Sequence, residues 1–185
     1  MNVCVFCGSN TGLNPVYAES ARKLGSLMAK SHTTLIYGGG KVGIMGILAD
    51  AVMSAGGEVI GIIPDFLKKR EVGHNGITRL EVVDSMHERK QRMADLADAF
   101  IAFPGGWGTL EELAEILTWK QLGLISDPVI LLNVNGFFNP LLQQMRSMAE
   151  EGFLHPEYLT IIKVANTPEE ALCYIIPQDG LRDSL

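Results

Sequence analysis

The chain has 185 residues, 47% hydrophobic and 19% charged, so it fits one domain with a packed core and excludes wholesale disorder. Fifteen Lys and Arg against twenty-one Asp and Glu give a net charge of −6, which excludes a general nucleic-acid coat because phosphates would not be neutralised in bulk. No stretch approaches the ~20 apolar residues that span a bilayer, and Met1–Cys7 lacks a basic leader region, so a cytoplasmic protein is expected, with no signal peptide and no membrane partner.

Short apolar runs alternate with helical patterns along the chain. Val3–Cys7 reads as a strand, and Pro15 to Lys30 as a helix with Tyr17, Ala21, Leu24, Leu27 and Met28 on one face. Thr33–Tyr37 is a second strand and runs into Gly38-Gly39-Gly40. Ile44–Ala55 is a helix stopped by Gly56-Gly57, and Glu58–Ile63 a third strand closed by Pro64. Residues 65–80 are polar and read as a loop with at most one helical turn. Ser85–Ala97 is a helix whose Ser85 and Glu88 form a capping box. Ala99–Phe103 and Pro128–Val134 are strands, with a helix over Thr109–Leu122 between them. Helices over Phe138–Glu150 and Pro168–Ile176 follow, with a short strand at Thr160–Val164 between them. The pattern predicts an α/β, Rossmann-like, doubly wound parallel sheet over residues 1–177, with a loose tail over 178–185.

Ligands of such sheets bind at the carboxyl ends of the strands. Three strands end there in small or glycine-rich turns: Gly8-Ser9, Gly38–Gly46 and Pro104–Thr109. Gly38, Gly40 and Gly43 fit G-x-G-x-x-G, but Glu58 begins the next strand rather than ending it, which weighs against a dinucleotide. A mononucleotide phosphate, or a turn that merely needs positive φ, remains. In the third loop, a capping box explains Thr109 and Glu112 but neither the three glycines nor Trp107. Beyond it, Leu110, Leu113, Ala114 and Leu117 read as the buried face. Glu112, Glu115 and Trp119 lie on another face, and Thr118 lies beside Glu111 and Glu115. Met86–Arg92 sets cations near a helix N-terminus, against the dipole, as an anion site would. Cys4 and Cys7 point to opposite faces of a strand and Cys173 stands alone, so no metal is expected and the thiols read as buried and reduced.

Pro104-Gly105-Gly106-x-Gly108-Thr109-x-x-Glu112 and Met86-His87-Glu88-Arg89-Lys90, with Cys7-Gly8-Ser9 and Tyr37-Gly38-Gly39-Gly40, resemble the motifs of the LOG ("Lonely guy") family of cytokinin riboside 5′-monophosphate phosphoribohydrolases. The likeness runs from about residue 2 to about residue 165. It implies hydrolysis of the N-glycosidic bond of an adenine-type nucleoside 5′-monophosphate, a homodimer, and neither cofactor nor metal. It implies catalytic roles for Arg89 and Glu112. Substrate contacts are implied at Ser9, Gly39, Gly40, Gly43, Glu71 and Lys90, along Gly105, Gly106, Trp107, Gly108, Thr109, Leu110 and Glu111, and at Thr118. A broader AMP or purine/pyrimidine nucleotide nucleosidase and a non-catalytic nucleotide or cofactor carrier are the alternatives. Lysine decarboxylation is rejected, because Lys41 and Lys90 are the only lysines near the glycine edge and neither sits in a site built for pyridoxal phosphate.

Overall fold

Alternation along each strand sorts side chains to two sides, and that sorting builds the molecule. In a computed structural model, which describes residues 1–68 and 73–176, Val3, Val5 and Cys7 face one core while Cys4 and Phe6 face another. The strands are β1 (Asn2–Phe6), β2 (Thr34–Tyr37), β3 (Val59–Pro64), β4 (Arg79–Val83), β5 (Ala99–Ala102), β6 (Val129–Leu132) and β7 (Ile162–Ala165). All pair in parallel, in the order β4-β3-β2-β1-β5-β6-β7. The first core is closed by α1 (Pro15–Lys30), α2 (Gly43–Ser54) and α7 (Pro168–Cys173). The second is closed by α4 (Met86–Leu96), α5 (Trp107–Gln121) and α6 (Asn139–Glu150), while α3 (Asp65–Lys68) is a single turn after β3.

The doubly wound parallel sheet is as expected, and its strand order reverses between β1 and β5. That switch point opens a crevice at the carboxyl edge. β4 is the strand that the sequence reading missed, only its first two residues falling in the expected loop over 65–80. It is an edge strand paired only to β3, and its Arg79 and Glu81 form an ion pair at 2.7 Å, so it lacks the unbroken apolar run of a central strand. The Ser85 cap forms: its Oγ accepts the Glu88 N–H at 3.1 Å, and Glu88 Oε2 accepts the Asp84 N–H at 2.9 Å. The Thr109 capping box does not. α5 starts two residues earlier at Trp107, with Gly106 at the cap and no side chain capping it. α5 buries Thr109, Glu112, Leu113 and Ile116; of the expected apolar face, Leu113 is buried, Leu110 and Leu117 pack half-buried against the same core, and Ala114 is exposed. Cys4 and Cys7 are buried thiols, but Cys173 is exposed, against expectation. The expected tail 178–185 lies outside the described residues.

Candidate active site

A cleft of about 440 Å³ opens at the switch point. The end of β1, the loop after β5 and the start of α5 form its walls, through Cys7, Gly8, Ser9, Pro104, Gly105 and Gly106. Its floor carries two ionisable side chains, Arg89 and Glu112, 6% and 9% exposed.

Arg89 comes from the first turn of α4, where the Ser85 cap fixes the helix start. Its Nε donates to Ile62 O at 3.1 Å and its Nη2 to Gly38 O at 2.8 Å, so the guanidinium bridges the ends of β3 and β2. Strand-end carbonyls thus hold a buried cation in one orientation, against the cost of removing it from water. A Cβ on Gly38 would sit 2.0 Å from Nη2, so a larger residue there must displace the guanidinium. Glu112 enters from the second turn of α5. The charges of both residues reach Cys4 and Cys7: burial foremost, then Glu112, pushes these thiols up, while Arg89 opposes. Both thiols are therefore protonated at neutral pH, and Cys7, though it lines the cleft, is not a nucleophile.

The N-terminus of α5 has no side chain capping it. Trp107, Gly108 and Thr109 open the helix on the cleft, and backbone amides and helix dipole both favour negative charge there. A Cβ on Gly106 or Gly108 would meet no heavy atom within 4 Å, so a ligand can approach the backbone. Gly105 packs inward, with Thr109 Oγ1 2.1 Å from where its Cβ would be.

The remaining expected residues scatter. Ser9 lines the cleft. Gly39, Gly40 and Gly43 do not, and each has a packing role instead. The His74 N–H donates to Gly39 O at 2.9 Å, and Gly40 bridges Gly73. Gly43 has φ +67° and lies against Ser9, where a Cβ would come within 2.2 Å of a backbone carbon. Lys90 turns to the outer face of α5, to Glu111 and Glu115. Burial pulls its pKa down, but the two carboxylates outweigh that and leave it raised. Leu110 and Thr118 line a separate apolar groove between α5 and α6. Glu71 lies outside the described residues. Sequence reasoning missed Tyr17, Met45, Met93 and Phe137, which also line the cleft. Phe137 was findable as an aromatic in the loop after β6, whereas Tyr17 lies in the first turn of α1 and read as part of its packed face.

A family model described as "Possible lysine decarboxylase" matches residues 45–175. A rice protein named "Probable cytokinin riboside 5′-monophosphate phosphoribohydrolase LOGL2" is 47% identical over 170 residues, covering 92% of this chain and 70% of its own length. A Rhodococcoides fascians protein named cytokinin riboside 5′-monophosphate phosphoribohydrolase is 45% identical over 175 residues, 94% of this chain and 88% of that one. The chain belongs to the LOG family. Among solved structures, a molybdenum cofactor binding protein from Rippkaea orientalis superposes with a TM-score of 0.69 at 26% identity, covering 92% of both chains. The decarboxylase description of the LOG family model does not suit this cleft: a pyridoxal enzyme needs a Schiff-base lysine, and among the described residues no lysine lines it.

Proposed function

We propose that the protein hydrolyses the N-glycosidic bond of adenine-type nucleoside 5′-monophosphates, cytokinin riboside monophosphates among them, to free base and ribose 5-phosphate. The observation that carries this reading is that buried Arg89 and Glu112 both line a cleft that an uncapped helix N-terminus also borders. The names of relatives at 45–47% identity point the same way.

The 5′-phosphate rests on the first-turn amides of α5, where the dipole favours an anion without lysines. As the C1′–N bond breaks, its electron pair leaves with the base nitrogen and positive charge spreads over C1′ and the ring oxygen. Glu112 stabilises that cation and accepts a proton from the attacking water, whose oxygen bonds C1′. The departing nitrogen takes up one proton, so substrate and water are fully accounted for. Positioned acid–base help of this kind is worth roughly 10²–10⁴-fold. Arg89, fixed by two carbonyls, orients Glu112 or the ribose hydroxyls. Substrate and water balance the reaction.

A homodimer fits the apolar groove of about 350 Å³ between α5 and α6, lined by Leu117, Met145, Met148 and Leu154. A second copy would cover surface that a monomer rarely leaves open. A cytoplasmic setting fits the free thiols. The experiment is base release from purified protein, with AMP, isopentenyladenosine monophosphate and the free nucleosides offered side by side. Base released from a monophosphate but not from its nucleoside supports the hydrolase. AMP binding without base release favours a carrier instead.

A further inference from the structure

His74 is 4% exposed, does not line the cleft and has no part in the chemistry above. Both of its ring nitrogens are nonetheless engaged. Nδ1 accepts the Gly76 N–H at 3.2 Å, so the ring proton sits on Nε2 and is donated to Asp50 Oδ1 at 2.9 Å. One partner on each nitrogen fixes the orientation of the imidazole. Asp50 stands in α2, so the ring ties the chain at 74–76 to that helix.

The backbone of His74 makes the bond that reaches towards the site. Its N–H donates to Gly39 O at 2.9 Å, and Gly40 bridges Gly73 beside it. Gly39 follows Gly38, whose carbonyl accepts Arg89 Nη2 at 2.8 Å. This strand end depends on support from outside. Gly38, Gly39 and Gly40 have no side chains to pack, and glycine has the most backbone freedom to lose on folding. Larger residues meet obstacles here. A Cβ on Gly38 would sit 2.0 Å from Nη2, and Gly39 has φ +75°, where a Cβ would also come within 3.0 Å of Ile63 Cβ. The turn that holds the guanidinium is therefore loose by composition, and the His74 N–H restrains it.

We propose that Asp50 and His74 are a positioning pair for Arg89. They hold the Gly38–Gly39 backbone and, through the Gly38 carbonyl, the orientation of the guanidinium. The inference rests on the hydrolase reading for its effect on rate. Neither residue lines the cleft, and the Asp50 side chain is 63% exposed. Removing a carboxylate so exposed ordinarily changes little. Here it strips a buried ring nitrogen of its acceptor and loosens the tie between α2 and the strand end. The bond from Arg89 Nε to Ile62 O does not depend on the pair, so the guanidinium is displaced rather than released.

The test is Asp50→Ala in the full chain, with kcat and KM for AMP read beside those of Asp50→Asn. Displacing an active-site group by about 1 Å costs on the order of 10²-fold in rate, so kcat should fall by roughly 10- to 100-fold in Asp50→Ala with KM little changed. Asp50→Asn, whose amide oxygen still accepts the Nε2–H, should restore it. The loss is routed through the Gly38 carbonyl, so adding Asp50→Ala to Gly38→Ala should lower kcat little further than Gly38→Ala alone. Unchanged kcat in Asp50→Ala, no recovery in Asp50→Asn, or losses that multiply in the double variant overturn the assignment. If Asp50→Ala does not fold, His74→Asn keeps an acceptor for the Gly76 N–H, loses the reach to Asp50 and is read in the same way. If the unaltered protein releases no base, the hydrolase reading fails. Solvent exchange of the Arg89 Nε–H, followed by heteronuclear NMR and identified by its loss in Arg89→Lys, then decides the positioning separately. Faster exchange in Asp50→Ala, with the β1 amides as slow as in the parent, supports it. Unchanged exchange, or faster exchange at both, overturns it.

Discussion

Arg89 Nη2 donates to the carbonyl of Gly38 at 2.8 Å and lies 2.0 Å from where a Cβ on Gly38 would sit. The glycine at the end of β2 and the arginine on α4, fifty-one residues apart, therefore constrain one another. Gly38→Ala must push the guanidinium aside, and a displacement of about 1 Å in an active site costs on the order of 10²-fold in rate. The expected result is kcat down by about that factor with an unchanged far-ultraviolet circular dichroism spectrum. Wild-type turnover in Gly38→Ala would remove the geometry of Arg89 from the mechanism.

Glu112→Gln keeps shape and hydrogen bonding but not charge. We expect kcat to fall roughly 10²–10⁴-fold and the KM for the monophosphate to change little, since the proposed function holds the phosphate at the start of α5. Arg89→Ala is the poorer probe, because it leaves the Gly38 and Ile62 carbonyls without their donor, at about 1–3 kcal/mol for each group left unsatisfied. Arg89→Lys, read with a thermal melt, separates chemistry from folding. If Glu112→Gln turns over normally while remaining folded, another group must act on the water.

Gly106 and Gly108 invert the usual effect of replacing glycine. Neither has positive φ, and a Cβ on either meets nothing within 4 Å. Alanine there restricts the unfolded chain and should leave stability equal or raised by roughly 0.4–1 kcal/mol, read as an unchanged or higher Tm. On the proposed function, the same methyl stands where the phosphate would approach the amides. We expect a higher KM for AMP and weaker inhibition by inorganic phosphate in Gly106→Ala and Gly108→Ala. Unchanged phosphate affinity in both would move the anion site away from α5.

The sheet was legible because its central strands are buried on both faces and read as unbroken apolar runs: Val3–Phe6, Leu35–Tyr37 and Phe100–Ala102. β4 was not, because an edge strand alternates Arg79 and Glu81 with apolar residues much as a loop does. Within the site, the two glycine loops looked alike in sequence and diverge in space. The loop after β5 opens on the cleft, whereas Gly39 and Gly40 are tied to the segment at Gly73 and His74. His74 fixes that tie through Asp50, Nε2 to Oδ1 at 2.9 Å, and by accepting the Gly76 N–H at Nδ1. Such long-range pairing has no local signal. Lys90 shows the same limit: it is next to Arg89 in sequence, yet about 100° further round α4, and it meets α5 instead of the cleft.

The groove between α5 and α6 gives a prediction about assembly. Leu117 lies in it, half-buried, beside Met145 and Met148. Leu117→Arg sets an unpaired charge in any interface formed there, which is costly when desolvated. Sedimentation should show a dimer for the unaltered protein and a monomer for the variant. A variant that sediments as the parent does would place the dimer contact elsewhere.

Three buried groups make stability fall as pH rises into the alkaline range. Burial foremost, with help from Glu112, pushes the Cys4 and Cys7 thiols up, and burial does the same for the Tyr37 hydroxyl, next to Cys7 and Asp50. Unfolded thiols release their protons near pH ~8.5 and an unfolded tyrosine near pH ~10. The folded chain keeps these protons above those values, so it binds more protons than the unfolded chain, and stability falls as pH rises. The contribution is complete below about pH 8.5 and is lost progressively above it, at up to ~1.4 kcal/mol per pH unit for each group fully titrated in the unfolded state alone. Urea denaturation between pH 7.5 and 10.5 should therefore show falling stability, and Cys7→Ala should make the fall less steep. Alkylation offers an independent check on the same cause. Iodoacetamide at pH 7.5 should label the exposed Cys173 in the folded protein and leave Cys7 unmodified, although Cys7 borders the cleft. Rapid labelling of Cys7 would mean an available thiolate there, and the protonated, non-nucleophilic role assigned to it would have to be given up.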